Sequence, residues 1–291
     1  MTARELIDRR YSCRTYEDRP LAAADRAVLE AFLASRTRGP LGSAARFRLL
    51  AAAPDDASEL RRLGTYGFIK GATAFLVGAV RKGPRDHEDY GCLMEEIVLE
   101  ATRLGLGTCW LGGTFTRGTF TSRFGGVGRD ETIPAVVSTG YPGEDGTERI
   151  RERTEGTRRF PPAELFFAEE WMEPLGEDPA ALAAAADGYA DALEAVRMAP
   201  SATNRQPWRI VRRGRDWHFY LARTKGYGRG SLGFRLLRIA DLQRVDLGIA
   251  MCHFELVARE HGLAGAWTVA DPGIALPAAS IEYTATWRGE D

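Results

Sequence analysis

Long apolar runs are missing from this sequence. Its most apolar stretch, Ala72–Val80, contains Thr73 and Gly78, and it is far shorter than the roughly 20 residues that a membrane-spanning helix needs. The N-terminal sequence MTARELIDRR has no apolar core of the kind that marks a secretory signal. We therefore expect a cytoplasmic protein without a membrane partner.

Cysteine and histidine are scarce, and their spacing is not that of metal ligands. The scattered thiols lack a CxxC pair and suit reduced cysteines better than disulfides or a zinc site. The sequence also lacks HExxH, Walker, GxGxxG and GxSxG motifs, so it lacks the signatures of several hydrolase and nucleotide-binding classes. The residues are Cys13, Cys92, Cys109, Cys252, His87, His218, His253 and His261.

Neither sign of charge is in excess. Charged residues make up 27% of the chain and hydrophobic residues 44%, with a formal net charge of -1. This composition is typical of a globular protein. Without an overall basic field, we expect no nucleic-acid partner.

A polar loop, Ala199–Trp208 (APSATNRQPW), separates a predicted helix, Ala180–Arg197, from a predicted strand, Trp208–Arg212. Pro200 cannot continue the helix, and Pro207 favours an extended backbone at the preceding residue. The short polar side chains between the two prolines can hydrogen-bond a ligand or the nearby backbone. From the spacing alone, a turn satisfied by its own side chains is the favoured interpretation.

A basic segment, RYSCR, begins at Arg10. If it is extended, Arg10, Ser12 and Arg14 point to one side, and their guanidiniums and hydroxyl suit a phosphate monoester. A solvated basic N-terminus is the alternative. The alternative is weakened because Tyr11 and Cys13 would fill the opposite, apolar face.

A glycine-rich turn follows the predicted long helix Asp89–Gly105. Within Gly105–Gly113 (GLGTCWLGG), Gly112 and Gly113 lack a Cβ, so the backbone can approach a ligand closely. Cys109 lies in a strand-like part of this stretch. A nucleophilic role for it is less favoured than simple packing, because no histidine lies near it in sequence.

The chain contains an internal repeat. Eight of 22 positions are identical between Asp89–Trp110 and Asp246–Trp267, at an offset of 157 residues, where average composition predicts about one or two. A repeat of half the chain indicates a duplicated domain and not a solenoid. We expect a first repeat over residues 1–166, a linker over 167–179 and a second repeat over 180–291.

The two repeats have diverged. The first carries the basic segment and the glycine turn, but it has PLGSAARF in place of the polar loop, with Ala44 and Ala45 near the position of Asn204. The second carries the polar loop and lacks the other two features. Interface sites in a two-fold dimer come in pairs that draw on both copies. One complete site can therefore be assembled here, and the other lacks its parts.

The three motifs together resemble the flavin-dependent nitroreductase superfamily, in its tandem-fused single-chain subgroup. Members carry an RRSxR-like opening, GLGTCWxGG after the long helix and APSxxNxQPW after a second helix, as in Arg9–Arg14, Gly105–Gly113 and Ala199–Trp208. The resemblance covers most of the chain. The chain departs from the family in having the QPW loop only in its second half, which puts a second flavin site in doubt and not the first.

The resemblance implies an α+β fold, a nitroreductase-like α/β/α sandwich whose two fused repeats form an intramolecular pseudo-dimer with FMN at the interface. The basic segment and Arg158 or Arg159 would hold the phosphate, the polar loop would line the isoalloxazine, and the glycine turn would approach flavin N5. The implied cofactor-binding residues are Arg10, Tyr11, Ser12, Arg14, Gly112, Gly113, Arg158, Arg159, Pro200, Ser201, Thr203 and Asn204.

The implied function is FMN-dependent reduction of nitroaromatic, quinone or similar flat acceptors by NADH or NADPH, with donor and acceptor using one site in turn. No catalytic side chain is expected, the segment Lys225–Gly233 is a candidate gate, and a monomer is expected. Three alternatives stay open: a flavin-binding or flavin-storing protein with little turnover, another reaction such as dehalogenation or oxygen-dependent flavin cleavage, and a purely structural protein.

Overall fold

A computed structural model describes residues 1–51, 69–112, 117–143, 158–171, 173–225, 227 and 240–290. Gly113 and most of the segment 225–233 lie outside these described residues. Within the described part of the chain, no helix is both long enough and apolar enough to cross a bilayer.

The first half of the chain builds an antiparallel sheet with helices packed against it. Its described helices are α1 (Ala3–Arg9), α2 (Ala23–Ser35), α3 (Asp86–Arg103) and α4 (Arg117–Arg123). Its strands are β1 (Ala45–Ala51), β2 (Ala74–Arg81), β3 (Gly107–Leu111), β4 (Glu131–Thr132) and β5 (Val136–Gly140). The sheet order is β1-β2-β5-β3, with β4 paired to β2 and all pairs antiparallel.

The second half builds a second sheet. Its described helices are α5 (Pro162–Leu165), α6 (Pro179–Ala185), α7 (Ala190–Met198) and α8 (Leu242–Glu260), with a short 3₁₀ turn at Ala202–Asn204. Its strands are β6 (Phe166–Ala168), β7 (Trp208–Arg213), β8 (Asp216–Ala222), β9 (Gly265–Thr268) and β10 (Ile281–Gly289). The order is β6-β7-β8-β10-β9.

The strand order of the first sheet recurs in the second. The path β1-β2-β5-β3 has the same connections as β7-β8-β10-β9, and each long helix precedes the strand at the end of this path. Each half therefore combines helices with mostly antiparallel strands. The α+β class expected from the sequence is confirmed.

The two long helices touch backbone to backbone. A Cβ on Gly91 of α3 would lie well under 3.0 Å from the Val245 carbonyl oxygen, and a Cβ on Gly248 of α8 would meet the Glu88 carbonyl oxygen equally closely. The contact is reciprocal. Gly91 and Gly248 are equivalent at the 157-residue offset of the repeat, and so are the residues that they meet, Glu88 and Val245. Close approach of the two helices thus depends on both glycines lacking a side chain.

The expected single helix over 180–197 is wrong. The chain forms α6 and α7 instead, and between them Asp187 and Gly188 have φ angles of 49° and 85°. Positive φ is incompatible with a continuing right-handed helix. The alanine-rich composition of the segment masked this break.

The expected linker over 167–179 also contributes structure. Strand β6 adds to the edge of the second sheet in parallel with β7, and Leu175 is buried in the main hydrophobic cluster. That cluster extends through both sheets and the helices between them. Its aromatic part surrounds Phe254 of α8, whose ring contacts those of Trp217, Phe219 and Trp287.

We predict that Gly91→Ala destabilises the protein by about 2–3 kcal/mol, because the added methyl group overpacks a backbone contact that has no flexible side chain to move aside. The measurement is the free energy of unfolding in urea. The matched control is Gly83→Ala, since a Cβ at Gly83 would meet nothing within 4 Å. Equal stability of the two variants would contradict the importance of the crossing.

Candidate functional site

The basic segment runs beside β3 in an extended conformation. Helix α1 ends at Arg9, and the next residue, Arg10, is extended, with φ and ψ of -63° and 131°. Ser12 forms a parallel bridge with Thr108 of β3, and the Cys13 amide donates to the Thr108 carbonyl at 2.8 Å. Cys13 is fully buried. The backbone therefore has the alternating geometry that places residues 10, 12 and 14 on the side opposite Cys13.

Arg10 turns toward the interior of the molecule. Its Nε lies 3.7 Å from Oε1 of Glu95 on α3, and both side chains are almost completely buried. The other carboxylate oxygen of Glu95 accepts a hydrogen bond of 2.8 Å from Nε1 of Trp110. Glu95 is a residue of this neighbourhood that sequence reasoning missed.

The polar loop has an unusual backbone. Thr203, Asn204 and Gln206 have φ angles of 51°, 54° and 48°, a region that residues other than glycine rarely occupy. Such conformations persist when the surrounding structure holds them, and they concentrate at functional sites.

A buried aspartate holds the polar loop. The Ala202 amide donates to the carboxylate of Asp246 at 3.0 Å, and burial raises the pKa of Asp246 well above its usual value. The equivalent Asp89 accepts from the amides of Leu41 and Ser43, both at 2.7 Å. In each half, the equivalent aspartate therefore holds the corresponding loop by accepting hydrogen bonds from its backbone amides.

The side chains of the polar loop bond to protein atoms. Ser201 Oγ accepts from the Gln206 amide at 2.9 Å, and Thr203 Oγ1 donates to the Ala202 carbonyl at 2.7 Å. Pro200, half-buried, leads into this turn. These bonds agree with the interpretation, favoured from the spacing, that the loop is a turn satisfied by its own side chains. They do not explain the positive φ angles of the loop.

The late basic pair is joined to the polar loop. Asn204 Nδ2 donates to the Arg158 carbonyl at 2.7 Å, and Gln206 Oε1 accepts from the Phe160 amide at 2.9 Å. The Arg158 side chain itself is exposed. Gln206 was not among the predicted site residues, although its place before Pro207 marked it as a loop residue.

Arg159 bonds to the polar loop and to the end of α7. Its guanidinium donates to Asn204 Oδ1 and, at 3.1 Å, to the carbonyl of Met198. Burial, together with the positive charges of Arg10 and Arg197, lowers the pKa of Arg159 to about 10, although Glu194 acts in the opposite direction. The Arg159 guanidinium therefore lies within electrostatic reach of Arg10 in the first half of the chain and of the Arg197–Glu194 ion pair in the second.

The glycine turn lies against the second half. A Cβ on Gly112 would overlap the side chain of Leu242, the first residue of α8, and the Leu242 amide donates to the Tyr227 hydroxyl at 3.1 Å. Burial raises the pKa of the nearby Cys109 thiol, with Arg14 and Arg10 acting in the opposite direction. A raised thiol pKa favours packing over nucleophilic attack at Cys109.

Two surface pockets lie at equivalent places in the two halves. The first, of about 170 Å³, is lined by Arg10, Tyr11 and the segment 105–108, and the second, of about 320 Å³, by the equivalent segment 262–264. Neither pocket includes a residue of the polar loop. The candidate site is therefore defined by the meeting of Arg10, Arg159 and the polar loop, and not by these pockets.

The chain resembles a known protein family and several solved structures. Residues 2–258 match a family model described as "Putative TM nitroreductase". Comparison with curated proteins gave no match.

Solved structures give further likenesses. A "putative nitroreductase" of Thermotoga maritima is 22% identical, with a TM-score of 0.58, over 99% of this chain and 93% of that chain. A nitroreductase family protein of Clostridium difficile 630 is 18% identical over 54% of this chain and 93% of that chain, with a TM-score of 0.42. A nitroreductase of Desulfovibrio desulfuricans in complex with FMN is 20% identical over 50% of this chain and 88% of that chain, with a TM-score of 0.39.

The Thermotoga maritima likeness extends over almost the whole of both chains and shows a shared fold. The family model matches well over half of the sequence, including the basic segment, the glycine turn and the polar loop. The chain belongs to this nitroreductase family.

Proposed function

We propose that the protein is an FMN-dependent oxidoreductase that binds one FMN per chain. NADH or NADPH is the proposed electron donor, and the proposed acceptors are small flat molecules such as nitroarenes or quinones. Donor and acceptor would occupy the same site in turn. The proposed active form is a monomer.

The observation that carries this proposal is the crowding of positive charge at Arg159. Its guanidinium donates to Asn204 in the polar loop of the second half, and the charge of Arg10 in the first half lowers the pKa of Arg159. Buried like charges are costly unless an anion compensates them. A phosphate group is a suitable anion, because arginine binds it through paired hydrogen bonds.

The residues present fit an FMN phosphate. Arg10, Arg14 and Arg159 offer guanidinium donors, and Ser12 offers a hydroxyl on the same extended segment. Gly112 has no Cβ, and the Leu242 side chain lies in the space that a Cβ would take, so a ring system would reach the backbone of the glycine turn beside Leu242. When bound, FMN supplies the hydride chemistry, and the protein contributes position and electrostatics. We therefore assign no acid or base role to a side chain.

We further propose that the chain is a fused pair of repeats, residues 1–166 and 180–291, joined by residues 167–179. Support comes from the recurring strand order, the reciprocal contacts of Gly91 and Gly248 and the equivalent bonds of Asp89 and Asp246. In a two-fold arrangement each site draws on both copies. Only one of the two sites retains the basic segment opposite a polar loop.

A flavin-binding protein with little turnover is the second candidate. The observation in its favour is Leu242, whose side chain lies against the glycine turn and narrows the space beside it. A blocked space would hinder the stacking of an acceptor on the flavin. The two candidates differ in whether bound flavin exchanges electrons with added NADH or NADPH.

We predict that Arg10→Ala together with Arg14→Ala weakens FMN binding by at least 100-fold, since each charged hydrogen bond contributes about 1.5–3 kcal/mol. The measurement is the Kd for FMN by calorimetry, together with the melting temperature of the apoprotein. The control replaces Arg26 and Arg103, two half-exposed arginines paired with Glu30 and Glu100 on their own helices. FMN affinity that is unchanged in the first variant would remove the phosphate assignment.

We also predict that NADH or NADPH bleaches the visible absorption of bound FMN without oxygen, and that adding a quinone or nitroarene restores it. The measurement is anaerobic stopped-flow absorbance on the FMN-loaded protein. Leu242→Ala should leave bleaching intact and speed the reaction with bulky acceptors, because it widens the space beside Gly112. Tight FMN binding without bleaching would support the flavin-binding candidate instead.

A further inference from the structure

We propose that His253 keeps the buried cluster around Arg10 positively charged, so that Arg10 can attract a phosphate in spite of the carboxylate of Glu95. His253 and Glu95 are positioning residues in this account. The inference rests on the proposed FMN site, and it concerns residues on both long helices that no motif includes.

The bridge crosses from one half of the chain to the other. Nε2 of His253 on α8 lies 3.0 Å from Oε1 of Glu95 on α3, and neither side chain is exposed. Nδ1 of His253 lies 2.9 Å from the Ala195 carbonyl oxygen on α7. The imidazole therefore joins the first-half carboxylate to the helix that leads into the polar loop.

The hydrogen bonds determine how many protons the bridge holds. A carbonyl oxygen can only accept, so Nδ1 of His253 must carry a hydrogen. The contact between Nε2 and Glu95 Oε1 needs one more proton, which belongs either to the imidazole or to the carboxyl group. In both arrangements the histidine and the glutamate together have no net charge.

Arg10 then keeps its own charge within this cluster. Its Nε lies 3.7 Å from the same Oε1 of Glu95, and an isolated carboxylate at that distance would neutralise it. Because the His253 proton already compensates Glu95, the three side chains together retain one positive charge.

Glu95 also links the charge to the glycine turn. Its Oε2 accepts from Nε1 of Trp110 at 2.8 Å, and Trp110 is two residues before Gly112 on β3. The Glu95 carboxylate thus contacts Arg10 of the basic segment, Trp110 of β3 and His253 of α8. A merely structural bridge would make the same contacts, so the test must separate charge from packing.

The test compares the Kd values for FMN and riboflavin, which differ by the phosphate, in the full chain. Wild-type protein should prefer FMN. His253→Gln removes the compensating proton and leaves Glu95 to neutralise Arg10, so the preference should fall by about tenfold while riboflavin affinity changes little. Glu95→Gln removes the competing charge and keeps both hydrogen bonds, so it should retain the preference.

The double variant Glu95→Gln with His253→Gln distinguishes the two explanations. If charge decides, it restores the FMN preference lost in H253Q, because the neutral amide at position 95 no longer offsets the charge of Arg10 as the Glu95 carboxylate does. If the bridge only supports packing, E95Q and H253Q should both weaken FMN and riboflavin binding, and the double variant should be worse still. That second pattern would overturn the inference.

A matched control and two further outcomes complete the design. His218→Gln replaces another buried histidine, which contacts Thr286 Oγ1 at 2.8 Å within the second sheet, and it should leave the FMN preference unchanged. If H253Q does not fold, the E95Q and double variants provide the test. Loss of the preference for FMN over riboflavin in E95Q then overturns the inference. Wild-type protein that does not prefer FMN over riboflavin overturns the phosphate site itself and the inference with it.

Discussion

The contact between the two long helices is the constraint on which the rest of the structure depends. Gly91 and Gly248 let α3 and α8 approach until backbone meets backbone. At that distance Glu95 on one helix reaches His253 on the other. A side chain at either glycine would push the helices apart and separate the residues that belong to different halves of the chain.

The contact between α3 and α8 brings parts of the candidate site from the two halves of the chain together. The first half supplies Arg10 beside Glu95, and the second supplies a strained loop held by Asp246. Arg159 lies between them and touches both Asn204 and the end of α7. Arg10 and Arg159 thus contribute positive charge from the first half close to the polar loop of the second, where we propose that the flavin phosphate binds.

The sequence predicted the parts of the fold that depend on local patterns, and it missed contacts between distant residues. The glycine stop located the long helix of the first half to within a few residues, and the repeat aligned Asp89 with Asp246. It missed the break at Asp187, because alanine-rich composition favours a continuous helix. For the site, composition gave no sign of the bond between Glu95 and His253, which lie 158 residues apart.

The central claim is that one FMN lies between the basic segment of the first half and the polar loop of the second. A crystal structure of the protein with saturating FMN tests it most directly. We predict one FMN per chain, with its phosphate on Arg10, Arg14 and Arg159 and its ring beside Gly112 and Pro200. FMN bound at both equivalent interfaces, or with its phosphate away from these arginines, would contradict the account.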